Sequence, residues 1–170
     1  MNFNPALLKR MGQGWSFETT DAVWSYDRAI APFFWANYLP EKLGGEQLYL
    51  MGLRDTKGTL LSGKNSYRLR VPADVPVDKF WSAIVYSQKT KSFIANPLNR
   101  IGLDSYDKSK LKTNPDGSVD IYFGNKAPEG YESNWLPSAG EDFFVIFRLY
   151  GPAKSVYERT WKLPDIELVP

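Results

Sequence analysis

The chain has 170 residues, enough for one domain with its own core, and its 43% hydrophobic and 24% charged residues are ordinary for a folded domain. Its 21 basic and 19 acidic residues leave a net charge of +2 with no run of five like charges, so it carries no electrostatic footprint for nucleic acid. It contains neither cysteine nor histidine, which excludes disulfides, thiolate metal sites, a Ser-His-Asp triad and any histidine-based zinc or iron centre within the chain.

Catalysis would therefore have to run on Asp, Glu, Lys, Tyr or Arg, or on groups from another chain. The aromatic content is high at 15%, with 6 Trp, 10 Tyr and 10 Phe. Such side chains fit pleated, half-buried surfaces and point to a β-rich domain. They also suit a ligand cleft, although core packing is their commoner use. No apolar run approaches the ~20 residues that span a bilayer. Met1-Asn2-Phe3-Asn4-Pro5 has no basic region followed by an apolar core, so it does not read as a signal peptide. Cytoplasm is then the default compartment. The abrupt start reads as a piece of a longer protein.

Asn4-Pro5 is a helix start, an N-cap followed by proline at the first helical position. A short helix with Ala6, Leu7, Leu8 and Met11 is expected to stop near Gly12, and a second to run over residues 21–36 with Trp24, Ala31, Phe34 and Trp35 at helical spacing. Residues 1–45 are thus a linker-like helical segment that packs on a sheet or on a partner. From Gly45 the period changes to two, and residues 46–170 read as a β-sandwich domain.

Residues 47–53 are apolar on both faces and predict a buried strand, followed by a turn at Asp55-Thr56-Lys57-Gly58 and a return over 59–63. Residues 66–71 alternate, with Tyr67, Leu69 and Val71 on one face and Arg68 and Arg70 on the other. A long strand is expected over 80–87, and weaker ones over 92–98 and 100–104. Asn114-Pro115-Asp116-Gly117 is a strong turn signal. Val119, Ile121 and Phe123 then face inward, with Asp120 and Tyr122 outward. Residues 124–140 read as a long loop, 142–150 as the central strand, and 153–159 as one or two helical turns. Residues 161–169 read as a closing edge strand. Strands at turn-separated spacing without intervening helices argue a mainly β fold, an antiparallel sandwich or jelly roll, with one or two helices before it.

Several residues in this order carry a family resemblance: Phe80-Trp81-Ser82 with Tyr86, Arg100 and Ser105, then Asn114-Pro115-Asp116-Gly117-Ser118. Asn134-Trp135-Leu136-Pro137, Arg148-Leu149-Tyr150-Gly151-Pro152 and Trp161 with Pro164 complete it. From about Glu46 onward the chain resembles the C-terminal domain family catalogued as domain of unknown function 1214, which usually follows domain 1254. The resemblance implies a jelly-roll-like β-sandwich, relatives that are often exported bacterial proteins, and no established general activity. It also implies a preceding domain that this sequence does not carry, and so an incomplete inter-domain site.

Arg148 is the first candidate for function, because alternation sets it between Ile146 and Tyr150 on one face of an apolar strand. A guanidinium there is partly desolvated and needs a partner. Asp120, Asp142 or Glu132 could form an internal salt bridge with it; otherwise it is a fork for a carboxylate or phosphate ligand. Asn134 and Trp135 either staple the long loop to the core or supply a hydrogen bond and a stacking wall in a cleft. Tyr86, Arg100, Ser105 and Tyr150 join the candidate set if their strands lie beside that of Arg148; the same residues would serve equally as a satisfied polar network. Asp104, Asp107, Asp116 and Asp120 lack the spacing of a calcium loop. No metal or cofactor is implied.

The favoured function is non-catalytic binding of a small polar or anionic ligand, or of a partner domain. The alternatives are part of a hydrolase whose other groups lie on a missing domain or neighbouring subunit, and a structural module that forms homo-oligomers.

Overall fold

The computed structural model of the chain describes residues 47–170. The two helices expected within residues 1–45 lie outside the described residues. Eight strands are present: β1 (Gln47–Gly52), β2 (Ser66–Val71), β3 (Val77–Ser87), β4 (Gly102–Asp104), β5 (Val119–Gly124), β6 (Trp135–Pro137), β7 (Phe143–Pro152) and β8 (Glu167–Val169). One short helix, α1 (Lys154–Tyr157), and two 3-10 turns, Ser105–Ser109 and Glu132–Asn134, complete the described part, which is mainly β. Sheet one has the order β1-β7-β3-β4 and sheet two the order β6-β5-β2-β8.

The core lies between the sheets and follows from strand alternation. On β7 the inward residues Phe143, Val145, Phe147 and Leu149 are fully buried, and they meet Trp81, Ala83 and Val85 of β3. Sheet two contributes Tyr67, Leu69 and Val71 from β2 and Val119, Ile121 and Phe123 from β5. Phe143 joins the two layers, with ring centroids 5.8 Å from Tyr67 and 6.1 Å from Phe123. Each large aliphatic or phenylalanine side chain among these contributes about 1.5–3 kcal/mol by burial, so these positions dominate the fold.

The expected turn at Asn114 forms. Gly117 takes φ +80, which glycine accepts without strain, and Asp116 accepts bonds from the Ser118 backbone at 3.0 Å and hydroxyl at 2.6 Å. Other expectations need correction. β1 is an edge strand of sheet one among the described residues, and only Leu48 in it is fully buried. Apolar residues on both faces made it read as a buried strand. Residues 59–63 and 92–98 form no strands and contribute only the isolated bridges Arg54↔Leu60 and Tyr86↔Phe93. The 124–140 segment is not all loop, since it contains β6. That strand runs parallel to β5, in sheets that are otherwise antiparallel.

Asp120 is only 4% exposed, where alternation had placed it in solvent. The reason is local: Asn114 donates to its Oδ2 at 3.0 Å, and Asn134 ties the neighbouring loop to its backbone carbonyl at 2.9 Å. Covered in this way, Asp120 no longer meets water, while Tyr122 on the same face stays half-buried. Among the described residues no helix is long and apolar enough to cross a membrane.

Candidate functional site

The outer face of sheet one is set by register. Arg148 on β7 lies opposite Tyr49 on β1 and opposite Ser82 on β3, so all three project from the same side. Tyr150 sits one step along, opposite Gln47 and Phe80. The Arg148 guanidinium donates to the Tyr86 hydroxyl and lies 5.3 Å from the centroid of the Tyr49 ring, within cation–π range. Its Nε is buried without a hydrogen-bond partner. The internal salt bridge considered for it does not form. Asp142 instead accepts from the Ser62 hydroxyl and the Gly63 amide, Asp120 from Asn114, and the Glu132 carboxylate from the Gly130 amide. No described carboxylate forms an ion pair with Arg148.

Tyrosines surround this charge. The Tyr49 hydroxyl donates to Gln47 Oε1 at 2.8 Å and lies 3.4 Å from the Tyr150 hydroxyl. Burial pushes the Tyr49 phenol up to about 12, and the Tyr150 contact adds to this; nearby Arg148 opposes it without cancelling it. Tyr49 therefore stays neutral at physiological pH, with its hydroxyl held between Gln47 and Tyr150. Tyr150 stacks on Phe80 at 4.3 Å and 12°, and Tyr86 on Phe144 at 5.3 Å and 14°.

The seven residues singled out in the sequence thus divide. Arg148, Tyr86 and Tyr150 share the outer face of sheet one. Arg100, Asn134 and Trp135 gather around the β6 loop, and no hydrogen bond among the described residues joins them to Arg148. Arg100 donates to the carbonyls of Glu132 and, at 3.2 Å, Trp135, lacing the β4 side of sheet one to β6. Asn134 is fully buried. It accepts from the Lys112 amide at 2.8 Å and donates to the Lys112 and Asp120 carbonyls at 2.8 and 2.9 Å. Trp135 Nε1 donates to the Gly124 carbonyl at 3.1 Å. Ser105 accepts from the Trp81 amide at 3.3 Å.

Sequence reasoning missed Tyr49 and Gln47. Their only signal would have been a polar-edged tyrosine on an alternating strand, and the register that sets them beside Arg148 is not written locally. A separate cleft of about 580 Å³ opens between β1 and the residues before β8, lined by Leu50, Leu69, Phe147, Leu163 and Ile166 among others. None of the seven lines it. Among the described residues no group of three or more acidic side chains is placed to hold a metal ion.

Fold and face together define a class: a mainly β domain of two stacked sheets that presents a guanidinium within an aromatic surface. Residues 46–154 match the family described as protein of unknown function (DUF1214), and the chain belongs to that family. Among solved structures it is similar to the VPA0106 protein from Vibrio parahaemolyticus, with 28% identity and a TM-score of 0.64 over 74% of this chain and 31% of that one. It shares its fold with an uncharacterized protein from Burkholderia cenocepacia, at 20% identity and a TM-score of 0.53 over 75% of this chain and 31% of that one. The chain therefore spans about a third of the length of either. No curated protein matches it.

Proposed function

We propose that this domain binds a small anionic ligand on the outer face of sheet one, with Arg148 reading the charge and Tyr86 and Tyr150 shaping the site. One observation carries the proposal: a partly buried guanidinium, one of its nitrogens unpartnered, with no described carboxylate paired to it. Removing such a charge from water is costly, and an incoming carboxylate or phosphate that engages the guanidinium through two parallel bonds offsets the cost. Binding without turnover is favoured because Tyr49, whose ring lies 5.3 Å from the guanidinium, holds its proton up to about 12 and makes a poor base near neutrality. Arg100, Asn134 and Trp135 are read as fixing the β6 loop and take no part in the site.

A second reading is an enzyme whose remaining groups lie outside this chain. It is supported by the greater length of the two solved relatives, of which this chain spans 31%. The jelly-roll description of the domain belongs with these proposals; its support is that β1, β2 and β3 alternate between the sheets, as do β6, β7 and β8.

Isothermal titration with acetate, galacturonate and inorganic phosphate tests the proposal. Saturable binding to the wild type that is lost in Arg148→Met, with the circular dichroism unchanged, is expected. Equal binding by the two proteins would sink it.

A further inference from the structure

The outer face of sheet one carries two aromatic stacks at opposite ends of the same strand pair. At one end Tyr106, 70% exposed, lies 5.1 Å from Phe80, which stacks on Tyr150. At the other Phe93, 49% exposed, lies 5.1 Å from Tyr86, which stacks on Phe144. The register pairs Phe80 with Tyr150 and Tyr86 with Phe144, so each stack straddles β3 and β7. Six residues separate Phe80 from Tyr86 along β3, which at ~3.3 Å per residue sets the stacks about 20 Å apart. Arg148 projects from the face between them, beside Ser82 and Ile146.

Scattered exposed rings need no explanation. These two are not scattered. Each is the open end of a stack whose other rings are packed, and together they bracket the guanidinium. The stacks lie farther apart than a single small anion on Arg148 can span. A single-stranded nucleic acid would stack on the rings, but it brings a phosphate at every nucleotide, whereas Asp104 stands opposite Ser82 on this same face. A chain of pyranose rings in which a single unit is acidic meets both constraints. Its units present apolar C–H surfaces that lie flat on aromatic rings, its hydroxyls suit the tyrosine rims, and a uronic acid supplies one carboxylate per acidic unit for the guanidinium.

We infer that the outer face of sheet one binds an acidic oligosaccharide laid along β3 and β7, with a uronate carboxylate on Arg148 and sugar rings stacked on Tyr106 and Phe93. The inference rests on the anion-binding reading above and names the ligand class of that same site.

The test is calorimetric titration of the whole chain with galacturonate, with oligosaccharides of increasing length that carry a single galacturonate unit among neutral ones, and with a neutral cello-oligosaccharide and an oligothymidylate of matching length. Affinity should rise about tenfold from the monomer to an oligomer that spans both stacks, as two ring contacts allow. Tyr106→Ala and Phe93→Ala should each remove several-fold of that gain and leave monomer binding unchanged. Both rings are exposed, so folding should survive and circular dichroism can confirm it. Arg148→Lys should weaken monomer and oligomer alike. The inference falls, with anion binding intact, in any of three cases: the oligomer binds no tighter than the monomer, the ring variants change nothing, or the neutral sugar or the oligothymidylate binds as well. If no carboxylate or phosphate binds at all, both readings fall.

Discussion

The Arg148 guanidinium donates to the Tyr86 hydroxyl across the β7–β3 pair, and its other flank lies 5.3 Å from the centre of the Tyr49 ring on β1. Three strands of one sheet thus converge on a single charge that no described carboxylate neutralises. A desolvated guanidinium kept for internal stability would be satisfied by acceptors, as Arg100 is by the Glu132 and Trp135 carbonyls, whereas Arg148 keeps a buried Nε without one.

Arg148→Met separates stability from binding. Removing an uncompensated, partly buried charge while keeping apolar bulk should leave unfolding stability unchanged or raise it by about 1 kcal/mol. Chemical denaturation measures this. A loss of about 3 kcal/mol or more would mean that Arg148 is a structural residue after all.

Asn134→Ala should behave in the opposite way. It strips the Lys112 amide and the carbonyls of Lys112 and Asp120 of their partners inside a fully buried site. At ~1–3 kcal/mol for a buried group left unpaired, the loss should be about 3 kcal/mol or more, visible as a large fall in melting temperature. Galacturonate binding to the folded fraction should persist.

The turn at Asp116 gives an acid signature. Bonds from the Ser118 hydroxyl and amide, with Arg70 adding to them, hold the Asp116 carboxyl down at about 2, below its ordinary 3.8. A carboxyl depressed in the folded state stabilises it above the unfolded value, and that contribution is lost as pH falls from about 4 through about 2. Asp116→Asn should flatten the stability profile across this window. A profile identical to wild type would remove Asp116 from the account.

Tyr49 gives the alkaline counterpart. Its phenol is raised by burial from 10.0 to about 12, so the folded state is favoured while the proton stays on. That preference is complete below about 10 and is lost as pH climbs through about 12. Tyrosinate absorbance should show a late-titrating group that disappears in Tyr49→Phe.

Local chemistry made much of the fold legible. The almost wholly apolar run from Phe143 to Tyr150 does form the strand between β1 and β3, and Asn114-Pro115-Asp116-Gly117 does turn. What escaped was decided by contacts between distant segments. Tyr49 and Tyr150 are 101 positions apart, and no local pattern records the register that brings them together. Asp120 looked solvated because alternation reports which face a residue occupies and says nothing of a loop folded over that face. The same limit explains the candidate set, since Arg100 and Arg148 share a residue type and only three-dimensional placement shows one lacing a loop through backbone carbonyls and the other left with a buried, unpartnered Nε.

The most direct test of the Arg148 site is a proton–nitrogen NMR titration of the arginine side-chain signals with galacturonate, the Arg148 resonance being assigned by its absence in Arg148→Lys. The site predicts that this resonance shifts saturably, together with ring signals of Tyr86 and Tyr150, while the Arg100 signal stays still. An Arg148 signal that does not move while galacturonate binds elsewhere, or no binding at any accessible concentration, would contradict it.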